Sequence, residues 1–223
     1  MKSSRNSISI SADRGARAKL TRRTTKKREL KRLIVITGTP GIGKTSISER
    51  LASKLGAIHI NVGELVTKEK ITSGYDEARQ TLIADMDKLT KRVEQMISDS
   101  RKTMIIDGHY APEIVPKEDI TKVFVLRCHP KQLKQRMIER GFQGAKLKEN
   151  LAAEVLDVCL TDAIASVGTD RVCEIDTTDK TIDAVLDEII SALEKKKHCA
   201  IGIVDWLGQL EAEQTLDQYL QEF

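Results

Sequence analysis

The chain has 223 residues, 40% of them hydrophobic and 31% charged, enough for one core of ordinary size and too little for a second full domain. No stretch is long and apolar enough to span a bilayer, and aromatics at 3% argue against a base-stacking nucleic-acid platform, so any RNA contact is expected to follow the backbone and weaken with salt. The net charge of +4 conceals an asymmetry: residues 1–32 carry twelve Lys and Arg against Asp13 and Glu29, which leaves the remainder acidic.

The basic segment comes first. Residues 1–30 hold few apolar side chains and runs such as Arg22-Arg23-Thr24-Thr25-Lys26-Lys27-Arg28, so a disordered tail is expected. RNA or ribosome contact is the leading reading of that tail; a targeting peptide and a stretch added by an upstream start codon are the alternatives. No hydrophobic signal core precedes the first apolar run, so a soluble, cytoplasmic protein is expected.

Leu33 to Thr37 reads as a buried strand, and Gly38-Thr39-Pro40-Gly41-Ile42-Gly43-Lys44-Thr45 follows it directly. This satisfies Gly-x-x-x-x-Gly-Lys-[Ser/Thr] at every specified position, the loop whose amides converge on the phosphates of a nucleoside triphosphate such as ATP. In such a loop Lys44 reaches the β- and γ-phosphates and the Thr45 hydroxyl ligates Mg²⁺. Ile47, Leu51 and Leu55 recur at helical spacing, so the helix that turns its N-terminus to the phosphates comes next.

Further strands are predicted near Ala57 to Asn61, Thr103 to Asp107, Lys122 to Arg127 and Arg171 to Ile175. Between them, Leu82, Met86, Leu89, Val93 and Met96 mark one helix. Leu151, Val155, Val158 and Asp162 mark another, and Ile182, Leu186, Ile189 and Leu193 a third. Trp206 to Phe223, with leucines between acidic residues, is expected to add a last helix. The pattern is that of an α/β chain with repeated strand-helix-strand units and a five-stranded parallel sheet flanked by helices.

Met104-Ile105-Ile106-Asp107 is an apolar strand ending in a carboxylate, placed to reach the metal that Thr45 holds; a turn-forming Asp before Gly108 is the plainer alternative. His109 beside it is read as a group that positions water or moves a proton, or else as an exposed structural histidine. Arg136 and Arg140 lie one helical turn apart before Gly141-Phe142-Gln143-Gly144. There they either clamp phosphates or form a solvated face. Cys128, Cys159, Cys173 and Cys199 lack Cys-x-x-Cys spacing, which predicts reduced thiols. Cys128-His129 and His198-Cys199 are read as buried thiols beside surface imidazoles rather than metal sites.

Taken in order, Gly38 to Thr45, Ile60-Asn61-Val62-Gly63-Glu64-Leu65, Gly74-Tyr75-Asp76-Glu77, Asp107-x-His109, Val123-Phe124-Val125-Leu126-Arg127, Arg140-Gly141-Phe142 and Lys148-Glu149-Asn150 resemble adenylate kinase isoenzyme six and its archaeal relatives. The resemblance runs from Leu33 to Leu193, and only the phosphate loop is generic. It implies a nucleoside monophosphate kinase-like P-loop domain over residues 31–195, with a monophosphate-binding segment at 61–84, a short lid at 139–149 and a C-terminal extension at 196–223. It further implies that Gly41, Gly43, Lys44, Thr45 and Ser46 hold ATP, that Arg140 touches its phosphates from the lid, and that Lys180 borders the adenine. Asp107 and His109 carry over as the acidic-strand pair. The activity implied is weak, broad adenylate kinase with AMP as acceptor, together with ATPase. The cellular role implied is small ribosomal subunit maturation with a platform ribosomal protein and the pre-ribosome. Thr67 departs from the pattern, standing where more familiar members have an Arg suited to the monophosphate, and Phe142 stands for a Tyr. Gly108 matches archaeal members, where eukaryotic ones carry Tyr. Two alternatives therefore stand beside an ATP:AMP phosphotransferase: a nucleotide-switched assembly ATPase and, less favoured, a small-metabolite kinase.

Overall fold

A computed structural model of the chain describes residues 32–77, 79 and 81–220. The expected basic tail and its RNA contact lie outside the described residues. Among these residues seven strands follow in chain order: β1 (Leu33–Thr37), β2 (Ile58–Asn61), β3 (Thr72–Asp76), β4 (Thr81–Ala84), β5 (Met104–Asp107), β6 (Ile120–Arg127) and β7 (Val172–Asp176). Five of them form a parallel sheet in the order β2-β5-β1-β6-β7, and β3 pairs with β4 as a separate antiparallel hairpin. The longer helices are α1 (Lys44–Leu55), α2 (Val62–Glu69), α3 (Met86–Asp99), α5 (Pro130–Glu139), α6 (Gly144–Val155), α7 (Val158–Val167) and α8 (Ile182–Leu193). Shorter ones are α4 (Ala111–Ile114), α9 (Trp206–Ala212) and α10 (Asp217–Leu220).

A parallel sheet is covered on both faces, so its strands are apolar throughout rather than alternating with polar residues. Every residue of β1 is buried accordingly. Leu33 and Val35 face a core layer built with Leu89, Val93 and Ala163, while Ile34 and Ile36 face a second layer with Leu51, Leu133 and Leu186. Helix starts carry their own signals. Asp85 accepts the Lys88 amide at 3.1 Å before α3, Thr181 accepts the Ala184 amide at 3.2 Å before α8, and Pro130 occupies the first position of α5.

Several expectations are corrected. Leu82 does not open α3; it lies on β4 and is exposed, and the helix begins at Met86 after its Asp85 cap. The expected helix through Leu151, Val155, Val158 and Asp162 is two helices, α6 and α7. It breaks where Asp157 takes a left-handed φ of 57° and pairs its carboxylate with Arg127. The last segment is two short helices, not one. Cys173 and Cys199 are joined as a disulfide with their Cα atoms 4.8 Å apart, so two of the four thiols are not free. The segment after α8 runs beside β7, where Ala200 accepts the Glu174 amide at 2.9 Å, and that pairing brings Cys199 to Cys173.

Candidate functional site

The loop between β1 and α1 is shaped by glycines that nothing larger can replace. Gly38 has φ 136°, and a Cβ on it would stand 2.5 Å from the Leu126 carbonyl oxygen; a Cβ on Gly41 would stand 2.7 Å from Met137 Cγ. Gly43, φ 106°, caps the start of α1, so Lys44 and Thr45 open the helix with its positive end toward the loop. Lys44 Nζ folds back and donates to the Gly38 carbonyl at 2.6 Å and the Thr39 carbonyl at 3.1 Å. Burial lowers the Lys44 pKa, while nearby acidic groups, Asp107 among them, pull the other way.

β5 lies beside β1, with Ile36 opposite Asp107. This brings Thr45 Oγ1 to 3.1 Å from Asp107 Oδ2, to which it donates. Asn61 Nδ2 donates to both, at 2.9 Å to Thr45 Oγ1 and 3.0 Å to Asp107 Oδ2, and His59 Nε2 contacts Asp107 Oδ1. Asp107 is 1% exposed, and these three side chains are the partners of its oxygens. Two side-chain oxygens so close together form a hard-oxygen set, and the Thr45 and Asp107 pair fits a divalent cation such as Mg²⁺. The sequence reading missed His59 and Asn61 as partners of Asp107. The signal was strand parity: they are two apart on β2, hence on one side, and Asn61 is in register with Asp107 on the neighbouring strand.

Arg140 caps the C-terminus of α5 and donates to the Gly41 carbonyl at 3.1 Å. Arg136, Arg140, Ser46 and Lys180 line one cleft of about 210 Å³ together with Gly41 and Gly43. Lys180 is also paired with Glu188 at 2.7 Å. His109 lies beyond Asp107, with its carbonyl accepting the Thr37 hydroxyl at 3.2 Å and its ring against Tyr110 at 3.6 Å between centroids. The surrounding protein, with Lys44 nearby, lowers the His109 pKa to about 4, although the residue itself is exposed. Gly108 is dictated by α2: a Cβ there would meet Val62 Cβ at 2.8 Å.

On the other side of the site, α2 and the β3–β4 hairpin fill residues 61–84. Thr67 turns its hydroxyl back to the Gly63 carbonyl at 3.0 Å, within its own helix. Arg79, a residue the sequence reading did not single out, donates to Glu149 at 3.0 and 2.8 Å and to Asp76 at 3.0 Å. It thereby ties the hairpin to the first half of α6. Arg79, Arg140 and Lys146 border a second cleft of about 700 Å³ between them. Arg127, although it ends β6 at the same edge of the sheet, does not reach this space. It is buried and bound by Glu154, Glu174 and Asp157.

A phosphate loop between the first strand and helix, an acidic strand end beside it and five parallel strands define the class: a P-loop NTPase with a nucleotide-kinase fold. The comparisons agree. The profile of an AAA domain family matches residues 34–157. A Methanocaldococcus jannaschii protein named "Putative adenylate kinase" is 40% identical over 173 residues, covering 78% of this chain and 92% of the relative. Proteins of the same name from Natronomonas pharaonis and Pyrococcus furiosus are 37% identical over 177 residues and 36% over 175, covering 79% and 78% of this chain and 99% and 91% of theirs. The chain belongs to the adenylate kinase-like family. Among the described residues no helix is long and apolar enough to cross a membrane.

Proposed function

We propose that the chain is an ATP:AMP phosphotransferase with ATPase side activity. The observation that carries this reading is the contact of Thr45 with Asp107 at the mouth of α1, with Arg136, Arg140 and Lys180 along the adjoining cleft. One end of that cleft offers cations and helix amides for a triphosphate, and the other lies where the family resemblance puts the adenine. Transfer of the γ-phosphoryl group needs in-line positioning and charge neutralisation more than covalent help. Lys44 leaves the Gly38 and Thr39 carbonyls to meet the phosphates, and Arg136 and Arg140 neutralise the charge that spreads over the transferring group. Thr45 and Asp107 would hold Mg²⁺, which would supply positive charge against the triphosphate.

An oxygen of the AMP phosphate attacks the γ-phosphorus while the bond to the β–γ bridging oxygen breaks, leaving two ADP. Residues 61–84 hold the acceptor, and Arg79 in that segment supplies the cation that Thr67 does not. The lid at 139–149, carrying Arg140 and Glu149, closes over both nucleotides and excludes water. When no acceptor is present, a water placed by neutral His109 attacks instead, which gives the ATPase side reaction. A role in small ribosomal subunit maturation, with a platform ribosomal protein and the pre-ribosome as partners, is proposed on the family resemblance.

One observation favours a second reading. With Thr67 bonded into its own helix, AMP binding is weak, and the chain then serves as a nucleotide-switched assembly ATPase with negligible kinase turnover. The two readings separate when ATP turnover is measured with and without AMP, with ADP and phosphate quantified separately and Lys44→Ala as the blank. The kinase reading expects AMP to raise ADP formation without phosphate release. Slow phosphate release that AMP does not change would replace it with the switch.

A further inference from the structure

Residues 196–220, the described part of the C-terminal extension, follow the stretch that resembles the kinase family, and the strongest unexplained feature among the described residues is where they attach. The disulfide fixes Cys199 to Cys173 on β7, and Ile203 donates its amide to Glu174 Oε2 at 2.8 Å. Three residues later Trp206, buried at the start of α9, donates its indole N–H to Glu154 Oε1 at 3.2 Å. That carboxylate is itself buried, and the same oxygen accepts Arg127 Nε at 3.0 Å and the Cys128 amide at 3.1 Å. Its other oxygen accepts the hydroxyl of Thr39 at 2.6 Å.

Thr39 is the second residue of the phosphate loop, and its carbonyl is one of the two that hold the Lys44 ammonium. The chain of contacts therefore runs from the C-terminal extension through one carboxylate into the loop. A second route runs from the same indole. Its ring packs edge-on against His129 at 5.1 Å between centroids, and the His129 amide donates to the Thr178 hydroxyl at 2.9 Å, in the turn that carries Lys180. The extension thus supports both ends of the cleft that Arg136 and Arg140 border. A buried carboxylate with four donors holds one position well, and removing a donor leaves the remaining ones to re-form around it.

From these contacts we infer that the C-terminal extension is a built-in brace of the ATP site, with Trp206 as a positioning residue that acts on the phosphate loop through Glu154 and Thr39. The inference rests on the reading of that cleft as the ATP site. It carries its own optical probe, because Trp206 is the single tryptophan of the chain.

In the full chain, ATP binding is measured by calorimetry while Trp206 emission is followed in a parallel titration. The brace predicts an emission change that saturates with the calorimetric midpoint and is lost in Glu154→Gln. Trp206→Phe, which keeps a ring and removes the N–H, is expected to raise the KM for ATP about fivefold while leaving the KM for AMP unchanged. A purely structural role would instead lower thermal stability and kcat together with KM for ATP unmoved, and that result overturns the inference. ATP binding with a silent Trp206 also overturns it, even if Trp206→Phe does not fold. Absence of any ATP binding in calorimetry would overturn the functional reading and the brace together.

Discussion

Asp107 meets side chains from two other elements, Thr45 from α1 and His59 and Asn61 from β2, and this convergence sets what single substitutions do. His109, two residues on, is neutral at physiological pH because the surrounding protein and Lys44 disfavour its charged form. His109→Ala is therefore expected to lower ATP hydrolysis about tenfold or more while ATP affinity stays within about twofold, as removal of a water-positioning base does. Normal ATPase in that variant, measured by phosphate release, would remove the role given to the imidazole. Burial pushes the Cys128 thiol up to about 11. The folded chain thus keeps the thiol where an unfolded one ionises near pH 9, and the stability this gives declines as pH rises from about 9 toward 11. At pH 8 the buried Cys128 stays a thiol in the folded chain, so iodoacetamide should label it in urea and not in the native protein. Native labelling, read by peptide mass, would contradict its burial.

At the scale of elements, the five strands of the parallel sheet were legible because a strand covered on both faces is a short apolar run with few other interpretations. The hairpin was not. Thr72-Ser73-Gly74-Tyr75-Asp76 is largely exposed, and Leu82 falls in step with the α3 period, so the helical pattern absorbed it. The break at Asp157 was hidden because its cause, Arg127, is 30 residues away, and the disulfide because its partners are 26 apart. The loop and the acidic strand end were legible as motifs; Arg79 and the β2 side chains were not, since their significance comes from a neighbouring element. Gly108 faces α2 so closely that Gly108→Ala should cost about 1–3 kcal/mol and lower Tm by several degrees. An unchanged melting curve would show that α2 yields freely. Arg79 joins the hairpin to α6 through an exposed ion pair, which contributes little to stability. Arg79→Ala should leave Tm nearly unchanged and raise the KM for AMP about tenfold, with the KM for ATP unmoved; equal changes in both would deny Arg79 its place in the acceptor segment.

Among the described residues, the carboxyl ends of the central strands collect the loop, the acidic strand end, Arg136 and Arg140 and, by way of Glu154, the C-terminal extension. The sheet order explains the gathering: β5 inserts between β1 and β2, so residues from three distant segments end side by side. Phosphoryl transfer between two nucleotides held together is the reaction proposed for this arrangement, and the fate of the γ-phosphate tests it most directly. ATP labelled in that phosphate is incubated with the protein and AMP, and the products are separated. Label recovered in ADP formed from AMP, absent with Lys44→Ala, is the predicted result. Label found only in inorganic phosphate, in the same amount with and without AMP, would contradict the kinase account and leave a nucleotide-hydrolysing switch in its place.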